Sequence, residues 1–157
     1  MGIGYVDSVV VYNRYINGLM ETETYFGTRF DNANIEFTQE ENQNRAGKED
    51  TSVCILKLEN NSSLAKPYLD PKEWKRLTTD EMLEHFTLDI GGDFFVIVKR
   101  EDLNLDIEAP VGLIESSTSE LYSGNFFEYM KKNYSYVYSM NSFASRNLIP
   151  HFQVGGL

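Results

Sequence analysis

The chain has one cysteine, Cys54, and two histidines, His85 and His151. A lone thiol forms no internal disulfide, so the fold has to be held by a core instead of by cross-links. Two histidines without a metal-pair spacing, and with no second cysteine or carboxylate cluster beside them, exclude the usual zinc arrangements; each reads as a hydrogen-bonded structural residue. Positive charge is also scarce, with 14 lysines and arginines against 24 aspartates and glutamates and a net charge of −10. No basic stripe offsets this, and a polyanion would be repelled, which argues against direct nucleic-acid binding. No apolar run is long enough to span a bilayer, and the opening "MGIGYVDSVV" lacks the basic start of a signal peptide. Val6 stands where N-myristoylation after Gly2 wants Ser or Thr. A soluble chain made in the cytoplasm, with no membrane partner, is expected. In that compartment the sequons at Asn60, Asn61 and Asn133 carry no meaning.

Motifs of catalysis are missing as well. There is no nucleophile elbow, phosphate loop or dinucleotide fingerprint, since "GIG" at residues 2–4 precedes a strand instead of opening a helix. Asp102, Asp106 and Glu108 form an acidic run without the spacing of a calcium loop, which reads as a solvated edge. Cys54 lies in "SVCILKL", where alternation puts it on one face with Leu56 and Leu58 as a buried small hydrophobe. No catalytic residue, cofactor or metal is expected, and the chain reads as a non-enzyme.

What is present is aromatic: 10 Phe and 10 Tyr in 157 residues, set in short runs with Val and Ile. That is the usage of half-buried strands, so the fold class expected is mainly β, of α+β type, an antiparallel sheet or small barrel or sandwich in one domain over residues 1–157. Strands are predicted over 8–13, 24–30 and 35–37, the last two split by "DNAN" at 31–34. Residues 38–50, "TQEENQNRAGKED", hold no large apolar side chain and read as a mobile loop between strands. Strand pattern resumes over 53–58. Short helical insertions follow over about 71–85, the first starting at Pro71 and the second at the capping-box pair Thr78 and Glu81. Residues 94–99 are apolar on both faces and predict a central strand. One longer helix is predicted over about 118–132, opened by Ser117 with Glu120 three residues on. An alternating strand over 134–140 and a closing strand in "HFQVGG" complete the pattern.

The stretch Gly91-Gly92-Asp93-Phe94-Phe95 resembles the signature turn of the diguanylate cyclases at all but one position. The position held by Phe94 is the acidic one in that family, and a phenylalanine offers magnesium no oxygen. The two glycines are explained by a tight turn that folds a strand ending near Leu88 back into 94–99 as a hairpin. In "YSYVYSM", Tyr134, Tyr136, Tyr138 and Met140 share one face of the predicted strand. Either that face packs on the domain's own helix, or it is an exposed strip suited to a protein interface or to sugar stacking, as in a free binding module.

Three stretches together carry a wider resemblance. The opening "VVVYNR", the central "FTLDIGGDFFVIVKRED" and the final "YSMNSFASRNLIPHFQVGGL" resemble, in their order, a family of small uncharacterised phage and prophage proteins of Gram-positive bacteria. The ending His-aromatic-x-Val-x-Gly is met by His151, Phe152, Val154 and Gly156, with Phe152 where that family has Trp more often. The resemblance implies a structural part encoded among head and tail assembly genes, present in the host cytoplasm during assembly and then in the virion. Its partners would be other virion proteins, or copies of itself in a ring; a ring needs two different, complementary surfaces on each subunit. The candidate surfaces are the excursion, with Glu40, Glu41 and Arg45, and the C-terminal strand, with Phe152 and Val154, besides the tyrosines.

Overall fold

The computed structural model describes residues 6–38, 52–61, 64–146 and 151–157. The fold is mainly β. Six strands, β1 (Asp7–Asn17), β2 (Thr22–Phe37), β3 (Cys54–Glu59), β4 (Phe94–Arg100), β7 (Val137–Arg146) and β8 (His151–Gly156), lie in the order β1-β2-β3-β8-β7-β4. Antiparallel pairing of β4 with β1 closes that row into a barrel. Two short strands lie outside it, β5 (Leu105–Asp106) on β4 and β6 (Gly112–Glu115) on β2. Three short α-helices, α1 (Pro71–Trp74), α2 (Thr79–Glu84) and α3 (Phe126–Asn133), and one 3-10 turn (Glu101–Leu103) complete the described elements.

Alternation along each strand sorts the side chains into inside and outside. All six barrel strands contribute to one buried cluster, with Val9, Phe30, Leu56, Val154, Met140 and Phe95 as one residue from each. The opposite faces of β1 and β4 are apolar too, and Val10, Tyr12, Phe94, Val96 and Val98 pack under Phe126 and Met130 of α3. Both faces of β4 are therefore buried, as its continuous apolar sequence predicts. A third cluster, Phe26, Trp74 and Met82, seats α1 and α2 on β2. The Thr78 capping box at α2 is present as predicted, and Asp70 caps α1 ahead of Pro71. Cys54 sits inside with Leu56 and Leu58.

Four expectations need correction. The "DNAN" stretch does not divide two strands; β2 runs through it with a bulge, because Asp7 pairs with Ala33 and Val9 with Phe30, so Ser8 of β1 opposes both Asp31 and Asn32 of β2. Asp31 is used there, accepting from Ser8 Oγ at 2.9 Å and from Arg29 Nε at 2.8 Å. The longer helix starts at Phe126, not at 118. Ser117 Oγ accepts the Glu23 amide at 2.9 Å, fastening the chain to β2, and Ser123 and Gly124 have φ of 52° and 78°, which breaks any helix before the true cap, Asn125. The glycine turn is there, but residues 87–88 before it are not a strand, so it closes no hairpin; β4 pairs with β1, β5 and β7 instead. Finally β7 begins at Val137, which leaves Tyr134 and Tyr136 ahead of it. The predicted loop at 38–50 lies outside the described residues from 39 on, and Glu40, Glu41 and Arg45 with it.

Candidate interaction site

The glycine turn is held by a buried polar bracket. Asp93 Oδ1 accepts the Arg14 amide at 2.8 Å, while Oδ2 accepts Asn13 Nδ2 at 2.8 Å and the Asp89 amide at 3.1 Å. Asn13 Nδ2 also donates to the Thr87 carbonyl at 2.6 Å. These bonds tie β1 to the entry of β4. Burial pushes the Asp93 carboxyl up to about 7, although the three N–H donors pull the other way. Gly92, at φ 152°, lies so close to Arg14 that a Cβ would stand 2.9 Å from its Cδ. Phe94, at the position where a cyclase needs an acid, stacks on Tyr12 at 4.8 Å. Every oxygen of Asp93 is thus engaged by the protein's own donors in a site that is 3% exposed.

The acidic run is spread over several duties. Asp102 pairs with Arg100 Nε at 2.6 Å, and Arg100 in turn donates from Nη1 to Asp7 at 2.9 Å and to the Ile35 carbonyl at 2.6 Å. Asp106 belongs to β5, and the Glu108 carbonyl accepts the Tyr134 hydroxyl at 3.2 Å. Among the described residues, no group of three or more His, Cys, Asp and Glu is placed to hold a metal ion. No described helix is long and apolar enough to cross a membrane. His85 Nδ1 lies 3.0 Å from the Glu81 carbonyl at the end of α2.

The three tyrosines do not share a face. Tyr134 ends α3 and packs on the cluster beneath that helix. Tyr136 and Tyr138 pack on the barrel's inner cluster, with the Tyr138 ring 5.7 Å from Phe95 and 6.5 Å from Phe37. All three are half-buried. Packing on the domain's own helix therefore describes Tyr134 but not the other two. Val154 is wholly inside the barrel.

Phe152, already a candidate surface residue, leads to a cleft whose other walls the sequence reading missed. It forms the floor of an open cleft of about 630 Å³, whose walls include Tyr68, Phe143, Leu64, Lys66 and Pro67. The Tyr68 ring lies 4.6 Å from Phe152 and is stacked on Phe143 at 6.0 Å with 15° between the planes. Phe143 is also stacked on Phe152, at 6.1 Å and 24°. The wall carrying Tyr68 is fixed by backbone, since the Phe86 amide donates to the Pro67 carbonyl at 3.0 Å and the Leu69 amide to the Phe86 carbonyl at 3.0 Å. Phe143 keeps 38% of its surface exposed, a large apolar area for one ring. Lys66 is half-buried, burial lowers its ammonium's pKa, and it makes no ion pair among the described residues. Chemically the cleft offers stacking surface and one cation. The signal for it was present but faint: Pro67-Tyr68 sits in a polar excursion, and Phe143 lies beyond a bulge in β7, where Met140 faces Gly156 and Ser142 faces Gly155. That shift by one residue carries Phe143 onto the Val154 side, which alternation counted from Tyr138 does not anticipate.

Comparison with protein-family models, curated proteins and solved structures found no match to this chain.

Proposed function

We propose that this chain is a non-enzymatic structural or assembly component of a phage or prophage particle, working at the head-tail junction or in the tail. One observation supports this reading. The three stretches that resemble the phage and prophage family are far apart in sequence, yet they form consecutive neighbours in the barrel: "VVVYNR" lies in β1, "FFVIVKR" is β4, and the final stretch supplies β7 and β8, in the order β1-β4-β7-β8. A resemblance scattered by chance has no reason to assemble into one continuous wall. The central turn belongs to the same unit, because Asp93 binds the backbone of Arg14 in β1. An acidic chain of net charge −10 stays dispersed in the host cytoplasm before it enters a virion.

The test is to induce the prophage, band the particles on a density gradient, and look for the chain by mass spectrometry in complete virions, free heads and free tails. Presence in complete particles and in only one sub-assembly is the expected result and assigns the side of the junction. Absence from all three overturns the reading.

A further inference from the structure

The tip of the β1–β2 hairpin is apolar where a solvated turn would be polar. Leu19 is 98% exposed and Met20 70%, and Ile16 just below them is 46% exposed. The tip is held in place: Asn17 Oδ1 accepts the Leu19 amide at 3.0 Å and the Met20 amide at 3.3 Å. Glu21 follows, exposed and without an ion pair among the described residues. An ordered turn therefore presents two large apolar side chains and a carboxylate to water. Scattered apolar residues on a surface are ordinary, but a fixed apolar projection marks a contact.

The cleft of Tyr68, Phe143 and Phe152 has the complementary character. It offers stacked rings for aliphatic and thioether side chains, and Lys66 for a carboxylate. The two features also have complementary places. In the closed order β1-β2-β3-β8-β7-β4, β1 stands across the barrel from β8, and β2 across from β7. The tip belongs to the β1–β2 hairpin, while the cleft is lined from β7, β8 and residues 60–61 and 64–68, and neither β7 nor β8 pairs with β1 or β2. Between copies such a pair makes a head-to-tail contact that repeats around a ring or along a row.

We infer that the Leu19-Met20-Glu21 tip of one copy seats in the Tyr68, Phe143 and Phe152 cleft of the next, with Glu21 of the first facing Lys66 of the second. This rests in part on the assembly role proposed above and names the partner surface for it. Unlike that role, it can be tested on the purified chain alone.

Single cysteines provide the test, because Cys54 is buried with its thiol pushed up to about 12 and stays unreactive in the folded chain. Met20→Cys and Ser145→Cys are prepared separately; Ser145 lines the cleft and is exposed, so its replacement leaves the rings intact. Under mild oxidation the mixture is expected to give a covalent dimer, neither variant alone is expected to do so, and the double variant is expected to give a ladder of oligomers. Charge reversal supplies an independent readout by sedimentation. Glu21→Lys or Lys66→Glu should each weaken association about threefold, and the double reversal should restore it. Dimers from Met20→Cys alone would mean tip-to-tip pairing and overturn the proposal. So would a chain that remains monomeric and uncross-linked up to about 1 mM, a concentration at which even a weak contact is populated. Cross-linking without the chain in virions would retain this contact and remove the phage role; the chain in virions without cross-linking would do the reverse.

Discussion

At Gly155 and Gly156 the backbone of β8 leaves no room for a methyl group. A Cβ on Gly156 would stand 2.8 Å from Phe95 Cζ, 2.9 Å from Cys54 Sγ and 3.0 Å from the Tyr138 Cβ, and one on Gly155 would collide with the hydroxyls of Ser142 and Ser52. Gly156→Ala is expected to cost about 1–3 kcal/mol, the usual penalty of overpacking a dense core. Urea unfolding followed by the fluorescence of Trp74, which is fully buried, measures it. An unchanged midpoint would mean that the barrel yields there. Asp93 gives a second prediction. Its folded pKa of about 7 is above the ordinary 3.8, so between those values the folded chain holds a proton that the unfolded chain has lost. Stability contributed by this group therefore falls as pH rises from about 4 to 7, by on the order of 4 kcal/mol at most. Asp31 and Asp89 have lowered pKa values, so their contribution is lost below pH 4 and stays outside that window. The urea midpoint of the native chain should drop between pH 5 and 7.5, and that of Asp93→Asn should drop less. Equal drops would remove Asp93 from the account.

Elements were legible where local chemistry decides them, and illegible where a distant partner does. The capping box at Thr78 and the two apolar faces of β4 follow from residues adjacent in sequence, and both were read correctly. Ser117 was misread because its hydroxyl serves β2 instead of a helix, and nothing local distinguishes the two uses. Ser116 beside it is buried and bridges Glu23 Oε1 at 2.7 Å and the Phe126 amide at 2.9 Å. The cap of α3 and its buried anchor can be separated by mutation. Asn125→Ala should cost about 1 kcal/mol, as at other helix N-termini. Phe126→Ala should cost about 3–5 kcal/mol, because its ring is fully buried and lies 4.7 Å from Tyr122, 5.1 Å from Tyr12 and 5.4 Å from Tyr25. If Phe126→Ala proves as mild as Asn125→Ala in urea unfolding, α3 is a cover and not a support.

For the whole molecule, alternation announced a mainly β chain but not its closure. Closure depends on β1 meeting β4 more than 80 residues later, as in Tyr12 facing Phe94, and no short window contains that pairing. The cleft was hidden for the same reason, since Tyr68, Phe143 and Phe152 come from three separate stretches. The strands flanking the excursion can be judged from their described ends. Phe37 faces Cys54, the Thr38 amide donates to the Val53 carbonyl at 3.1 Å, and the Val53 amide donates to the Gly156 carbonyl at 2.8 Å, so β2, β3 and β8 are already joined where residue 39 leaves. Removing residues 39–49 leaves Asp50 and Thr51 to connect Thr38 to Ser52, and shortening a loop between paired strands lowers its closure entropy. The deletion variant should melt within about 5 °C of the native chain by circular dichroism. In a prophage carrying the deletion, infectious particles should not form if the excursion is a contact surface of the assembly. Normal particles would assign assembly to other surfaces, the cleft and the hairpin tip first. A collapsed melting temperature would instead make residues 39–49 part of what holds the barrel shut.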